Sequence, residues 1–400
     1  MNLSGPLIEK FDRFGAHNYH PLPIVISRGK AATLWDVDGK AYLDFLSSYS
    51  AVNFGHSHPR LVNILQQQAE KLAVCSRAYH AEELSLFCEE LAKLCGMEAV
   101  LPMNSGAEGV ETAIKIARKW GYEQKSIPSA QATILAMKNN FHGRTISLIS
   151  LSSEARYREH FDPFTPGFEL CEFGDIESVR SKIDRNTAAV LIEPMQAEAG
   201  ILVPPDGYLA KLRRLCDEQK VLLIFDEIQT GLGRTGRDFC FQHENVRPDV
   251  LILGKSLGGG LLPISAVVTT RKIMDVLQPG HHGSTFGGNP LACAVARESM
   301  RLLKEENLSS RAEKIGKRIL GVLNELPQAI VKEVRGRGAL IGVELRTTAR
   351  PYCEELCRRG VLCKETHERT IRLAPPLILS EEDLEKGMRE ILAVLKGWKP

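Results

Sequence analysis

Two apolar runs narrow the folds open to this chain more than any other feature: VLLIF at Val221–Phe225 and VLIL at Val250–Leu253. Neither alternates with polar residues, so each reads as a strand buried on both faces, the pattern of a parallel sheet covered by helices. Upstream, Ala189–Ile192 reads as a strand and Tyr208–Gln219 as a helix leading into Val221. Strand, helix and strand at that spacing form a βαβ unit with parallel strands. Both runs end in charge, Asp226-Glu227 after the first and Lys255 after the second. Ligands of open α/β sheets bind beyond the carboxyl ends of the strands, so an acid and a lysine delivered there imply one crevice between them.

Pyridoxal phosphate is the cofactor whose chemistry requires that pair. Its aldehyde needs a lysine amine for a Schiff base, and its pyridine nitrogen needs a carboxylate to stay protonated as an electron sink. Taken singly, Lys255 is better explained as a solvated strand-end lysine and Asp226 as a helix cap. Together, and followed by Gly258-Gly259-Gly260, they make the cofactor reading competitive. The G-x-G-x-x-G at Gly231, Gly233 and Gly236 also follows a strand. RDFCFQHEN after it is no apolar-periodic helix, so a dinucleotide site is not expected.

The rest of the chain supplies candidates around that pair. A short amphipathic helix is expected over Leu3–Phe14, and a hairpin around Asp38-Gly39 outweighs a calcium reading of its D-x-D-G spelling. Ser47–Asn53 is polar, small and unsuited to a core. His56 and His58 have no further ligand cluster nearby, which favours a loop before helices at Pro59–Ala73 and Ala81–Leu94 over zinc. Asn104-Ser105-Gly106 opens a strongly helical run, whose free N–H groups and positive dipole end suit a phosphate as well as an ordinary cap. The strand Thr133–Met137 leads into Phe141-His142-Gly143-Arg144, an aromatic and a cation at a strand end. Glu193 closes the strand Ala189–Ile192, with Gln196 and Glu198 in the loop beyond. Ile264–Thr270 is a further strand, and Ser284-Thr285 offers two hydroxyls in a glycine-rich loop that holds phosphate or simply turns. From about Glu305 the texture becomes that of a separate α+β domain, with strands at Ala329–Val334 and Leu340–Glu344 and a lone arginine, Arg372, in an apolar strand.

Composition excludes several classes. The length, 400 residues, provides two to three domains' worth of core at roughly 150 residues each. A net charge of +2 marks neither a nucleic-acid binder nor a membrane-surface protein. Ten cysteines without a C-x-x-C pair suit a reducing, intracellular setting, and Cys353 and Cys357 would share a helix face in the core. MNLSGPLIEK has neither an apolar h-region nor an import pattern, and no apolar run is long enough to span a bilayer, so a cytoplasmic location is expected.

NSGAEGVETAIKIAR, FHGRT, IEPMQAEAG, FDEIQTGLGRTG, LGKSLGGG, GSTFGGNPLA and IRLAPPL, in that order, resemble the class III, fold type I pyridoxal-phosphate aminotransferases over nearly the whole chain. The resemblance implies an α/β fold: a large cofactor-binding domain at 51–290 with a mostly parallel sheet flanked by helices, a smaller α+β domain at 291–400, and an N-terminal segment, 1–50, packing with the small domain. It implies Lys255 as the cofactor-linked lysine and Asp226 as the pyridine partner. Phe141 and Ile228 would flank the ring, with Gln229 and His142 beside it. Ser105, Gly106 and Ala107 would hold the phosphate, joined by Ser284 and Thr285 from the partner subunit of a homodimer. HNYHPLP, SSYSAVN and CKETH are similar to the ornithine-using branch of the family. That branch implies L-ornithine and 2-oxoglutarate or glutamate as substrates, with Tyr19, Tyr49, Arg144, Glu198 and Arg372 as their contacts and Glu198–Arg372 as a specificity switch. His142 departs from the tryptophan of the animal members. Other ω-aminotransferases of the class, taking N-acetylornithine, 4-aminobutyrate or lysine, are the nearest alternative; a non-catalytic nucleotide-binding protein is a distant one.

Overall fold

The structure, a computed structural model, describes residues 3–398; residues 1–2 and 399–400 of the two terminal segments lie outside the described residues. Its centre is a seven-stranded sheet in the order Ala99–Met103, Ser265–Thr269, Val250–Leu253, Leu222–Asp226, Thr187–Ile192, Thr133–Met137, Phe168–Cys171. All neighbours are parallel except Ser265–Thr269, which runs antiparallel to the strand on either side.

The continuous apolar runs have a direct cause. Leu223, Phe225, Leu251 and Leu253 face one core, while Leu222, Ile224, Val250 and Ile252 face the other. A strand with helices on both faces has no solvent side on which to place polar residues. Each such fully buried side chain contributes about 1.5–3 kcal/mol. The helix Gly106–Gln124 covers one face, packing on six of the seven strands.

Both edge strands escape the sequence reading. Ala99–Met103 contains Pro102, which lacks the N–H a central strand must donate and is accommodated only at the edge. Phe168–Cys171 is four residues long.

Two smaller sheets complete the molecule. Val331–Arg337, Leu340–Leu345, Thr370–Leu373 and Lys364–Thr366 form an antiparallel sheet in that order, so the arginine-bearing strand is internal, not an edge. Ile26–Lys30, Thr33–Asp36 and Ala41–Asp44 form an antiparallel meander whose last strand pairs in parallel with Val361–Leu362.

One expectation is overturned in part: within the polar segment after this meander Ser47, Ser50 and Asn53 are buried, at 0, 1 and 0% exposure, while Ser48 stays exposed. Polar atoms explain it in part. Asn53 accepts from the fully buried Arg234 through Oδ1, and Arg234 also donates to the carbonyls of Ala339 and Pro375. The G-x-G-x-x-G loop thereby fastens the segment to the C-terminal sheet. The H-x-H pair divides, His56 pairing with Asp44 at 2.7 Å and His58 with Glu306 at 3.4 Å. Among the described residues no helix is long and apolar enough to cross a membrane.

Candidate active site

The strands Leu222–Asp226 and Val250–Leu253 are neighbours with Asp226 opposite Ile252, so Asp226 and Lys255 leave the sheet side by side. Asp226 is 4% exposed. Its Oδ1 accepts the N–H of Ile228 at 3.1 Å, and its Oδ2 lies 2.7 Å from His142 Nδ1. Burial works against a charge on His142, but the hydrogen bond and charge of Asp226, with Glu193 behind, outweigh it and raise the imidazole above its ordinary range. Lys255 stands at φ 45°, directly after Gly254. Burial lowers its amine to about 8, against the opposing pull of Glu198 and with the help of Arg372. At pH 7.5 about a quarter of such amines are neutral, where an ordinary lysine is almost wholly charged.

Lys255 is the shared wall of two cavities. The larger, of about 750 Å³, is lined by Tyr19, Tyr49, Phe141, Arg144, Glu198 and Arg372 among others. The smaller, of about 380 Å³, is lined by Ser105, Gly106 and Gly260. Ser48 borders both. Ser105 caps the helix Gly106–Gln124 in a reciprocal box with Glu108, and the N–H groups of Gly106 and Ala107 have no carbonyl to meet within the helix. A side chain at Gly106 would press on Ile228, 3.0 Å from its Cδ1.

In the larger cavity Arg372 and Glu198 form a two-pronged pair, Nη1–Oε1 at 2.6 Å and Nη2–Oε2 at 2.8 Å. Burial alone would raise Glu198, but the Arg372 charge and hydrogen bonds win and hold it below the usual carboxylate range. Gln229 joins the pair, donating to Glu198 at 3.1 Å and accepting from Arg372 at 3.3 Å. Tyr49 lies with its ring 5.0 Å from the Arg372 guanidinium carbon. Arg144 makes no ion pair among the described residues and rests 3.4 Å above the ring of Tyr157, which meets Phe141 edge-on.

Tyr49 sits on an unusual backbone. Ser47, Ser48, Tyr49 and Ser50 all take left-handed φ, a conformation that costs roughly 1–2 kcal/mol per non-glycine residue and must be held by its surroundings.

Of the expected site residues, the structure gathers Lys255, Asp226, His142, Phe141, Ile228, Gln229, Glu198, Arg372, Tyr49, Tyr19, Arg144 and the Ser105–Ala107 helix start around the two cavities. It does not bring Ser284 or Thr285 to the walls of either; Thr285 is exposed, and Ser284 accepts from Asn104 and the N–H of Gly287. Tyr157 and Glu193 are missed by the sequence reading as site residues. No motif marks Tyr157. Glu193 carried a signal, an acid at a strand's carboxyl end like Asp226; it accepts from the N–H groups of Phe141 and Ala197, and burial pushes it up to about 7.

These residues suit pyridoxal phosphate: a buried carboxylate and a lysine of lowered pKa at adjacent strand ends, an aromatic and an isoleucine for the ring's faces, and unpaired helix-start N–H groups for its phosphate. The sequence profile of "Aminotransferase class-III" matches residues 14–395. The chain belongs to the class-III aminotransferases. This class-III enzyme depends on pyridoxal phosphate and acts on small molecules. It is 51% identical over 395 residues to an ornithine aminotransferase of Brevibacillus brevis, covering 99% of each chain. An ornithine aminotransferase structure from Toxoplasma gondii, with pyridoxal phosphate at partial occupancy in its active site, superposes at a TM-score of 0.96 with 43% identity, over 98% of this chain and 94% of that one. An acetylornithine aminotransferase from Elizabethkingia anophelis superposes at 0.89 with 45% identity, over 98% of both.

Proposed function

We propose that this enzyme transfers the terminal amino group of L-ornithine to 2-oxoglutarate, giving L-glutamate and glutamate 5-semialdehyde, which cyclises to pyrroline-5-carboxylate. The closed Glu198–Arg372 pair beside Lys255 carries the reading. Ornithine has two amines and one carboxylate, and only its terminal amine must reach Lys255. With Arg372 neutralised by Glu198, that arginine does not draw the carboxylate end inward toward Lys255. That end stays outward, held by Tyr19, Tyr49 and the unpaired Arg144. For 2-oxoglutarate or glutamate, Glu198 yields, Arg372 takes the α-carboxylate in a fork of charged hydrogen bonds, and Arg144 takes the far carboxylate.

Bound pyridoxal phosphate supplies the electron sink of the reaction. Lys255, kept partly neutral by burial, takes the proton from the substrate carbon that bears nitrogen and would return it to the carbon on the other side of that nitrogen. Asp226 keeps a proton on the pyridine nitrogen, and His142 fixes the orientation of that carboxylate. Phe141, Ile228 and Gln229 would hold the ring, while Ser105, Gly106 and Ala107 would take the phosphate. The reading includes a homodimer with active sites at the subunit interface, in which the exposed Thr285 and its neighbour Ser284 serve the partner's phosphate. It also includes a cytoplasmic location and the division into 1–50, 51–290 and 291–400.

The likeness to an acetylornithine aminotransferase favours a second reading, with N-acetylornithine as donor. A donor panel with 2-oxoglutarate decides between them, the semialdehyde being trapped with an aminobenzaldehyde reagent. L-ornithine is expected to exceed every other donor; faster turnover of N-acetylornithine overturns the ornithine reading and leaves the family intact.

A further inference from the structure

The tyrosine against Arg372 stands on a single turn of left-handed helix. Across Ser47–Ser50 φ lies between 46 and 68°, and the turn closes in helical fashion, Ala51 N–H donating to Ser47 O at 2.9 Å. Nothing in a Ser-Ser-Tyr-Ser sequence favours that hand. The hydroxyls of Ser47 and Ser50 do not hold it either, being buried without partners. The restraint lies at the entry to the turn. Asp44 Oδ1 accepts the N–H groups of both Leu46 and Ser47 at 2.8 Å, which fixes the direction in which the chain leaves its strand. The other carboxylate oxygen lies 2.7 Å from His56 Nε2. Both ends of that link are anchored: Asp44 N–H donates to Ala32 O at 2.8 Å, and the backbone of His56 exchanges two hydrogen bonds with Ala31. Asp44 is 2% exposed and borders neither cavity.

We infer that Asp44 is a positioning residue for donor selection: by clamping the left-handed turn it aims Tyr49 at Arg372 and sets Ser48 between the two cavities. This rests on the proposed role of Tyr49 in gripping ornithine. A residue that merely stabilised the fold would affect all donors alike. One that acts through Tyr49 affects ornithine, whose α-amino group as well as carboxylate the two tyrosines Tyr19 and Tyr49 hold in the proposed reading, and spares 4-aminobutyrate, which has no α-amino group.

The test compares holoenzymes of the wild type, Asp44→Ala, Asp44→Asn, Tyr49→Ala and the Asp44→Ala/Tyr49→Ala double variant, matched for cofactor content by visible absorption. Asp44→Ala is expected to lower kcat/KM for L-ornithine by about tenfold or more, chiefly through KM, with 4-aminobutyrate held within about twofold. Asp44→Asn, whose amide oxygen still accepts both N–H groups, keeps most of the ornithine activity. The double variant falls no further than Tyr49→Ala, because the two changes remove one interaction. Equal losses with both donors, or effects that multiply in the double variant, overturn the inference. Should Asp44→Ala fold poorly, adding Ser47→Gly frees the turn of its strain; recovery of ornithine turnover supports the clamp, and no recovery overturns it. If Tyr49→Ala alone leaves ornithine turnover unchanged, the ornithine grip itself fails, an outcome visible without any Asp44 variant.

Discussion

Replacing Glu198 by glutamine tests how the two half-reactions are told apart. In the wild type the Nη1 and Nη2 groups of Arg372, which is 2% exposed, make two charged hydrogen bonds of 2.6 and 2.8 Å to Glu198. A substrate carboxylate reaching for Arg372 must first break them. Hydrogen bonds to a charged group contribute about 1.5–3 kcal/mol each. Glutamine keeps one acceptor and loses the charge, so the barrier to displacing it falls by on the order of 2 kcal/mol, about 30-fold in binding. Gln229, which accepts from Arg372 at 3.3 Å, remains to hold the guanidinium in place. Glu198→Gln is therefore expected to bind glutamate and 2-oxoglutarate more tightly and to let ornithine enter with its carboxylate on Arg372, so that its α-amine reacts. The assay resolves the two ornithine products, trapping the semialdehyde with an aminobenzaldehyde reagent and separating the α-oxo product by chromatography, and measures the ornithine-to-glutamate ratio of kcat/KM. An unchanged ratio and a single product would refute the gate.

Three further outcomes follow from the same geometry. Lys255, lowered to about 8 by burial, should label with an amine-selective reagent in the apoenzyme at a rate that rises tenfold per pH unit up to about 8 and then levels, while surface lysines continue to rise toward their usual value near 10.4; peptide mapping by mass spectrometry tells them apart, and a Lys255 profile like that of the surface set would contradict the burial argument. Glu193 is pushed up to about 7, so between its unfolded value of 4.5 and 7 the folded state holds a proton that the unfolded state has lost. Its contribution to stability is full below 4.5 and is lost as pH rises through 7, so denaturant unfolding should show Glu193→Gln gaining on the wild type from pH 5 to pH 8. At Gly316, inside the helix Leu308–Leu323, a Cβ would run into the carbonyl of Gly338. Gly316→Ala should destabilise by about 1–3 kcal/mol although alanine is the better helix former, and a neutral or raised melting temperature would show that the contact relaxes.

The chemistry was far more legible in the sequence than the substrate grip. Asp226 and Lys255 follow unbroken apolar strands, and a strand buried on both faces announces its own end. Arg372 and Glu198 gave weaker signs, an arginine in an apolar strand and a glutamate in a loop, because a charge pair made across 174 residues has no local pattern. Tyr157 had no sign at all. The burial of Ser47, Ser50 and Asn53 ran against their composition: Arg234, which holds Asn53, lies 181 residues away, and the local cap from Asp44 two and three residues upstream carries no sign of burial. The edge strands were lost for a local reason: one carries a proline and the other is too short to show a period.

The pairing of Ala41–Asp44 with Val361–Leu362 has a consequence for how the protein comes into being. Leu43 and Val361 are partners about 320 residues apart. At a synthesis rate of roughly 5–20 residues per second, the meander waits on the order of tens of seconds on the ribosome before its last neighbour emerges. The strands that carry Asp226 and Lys255 can assemble well before then, whereas the turn bearing Tyr49 and the strand bearing Arg372 cannot meet until the chain is almost finished. A nascent chain can thus possess the reactive lysine before it possesses any means of choosing what reaches it.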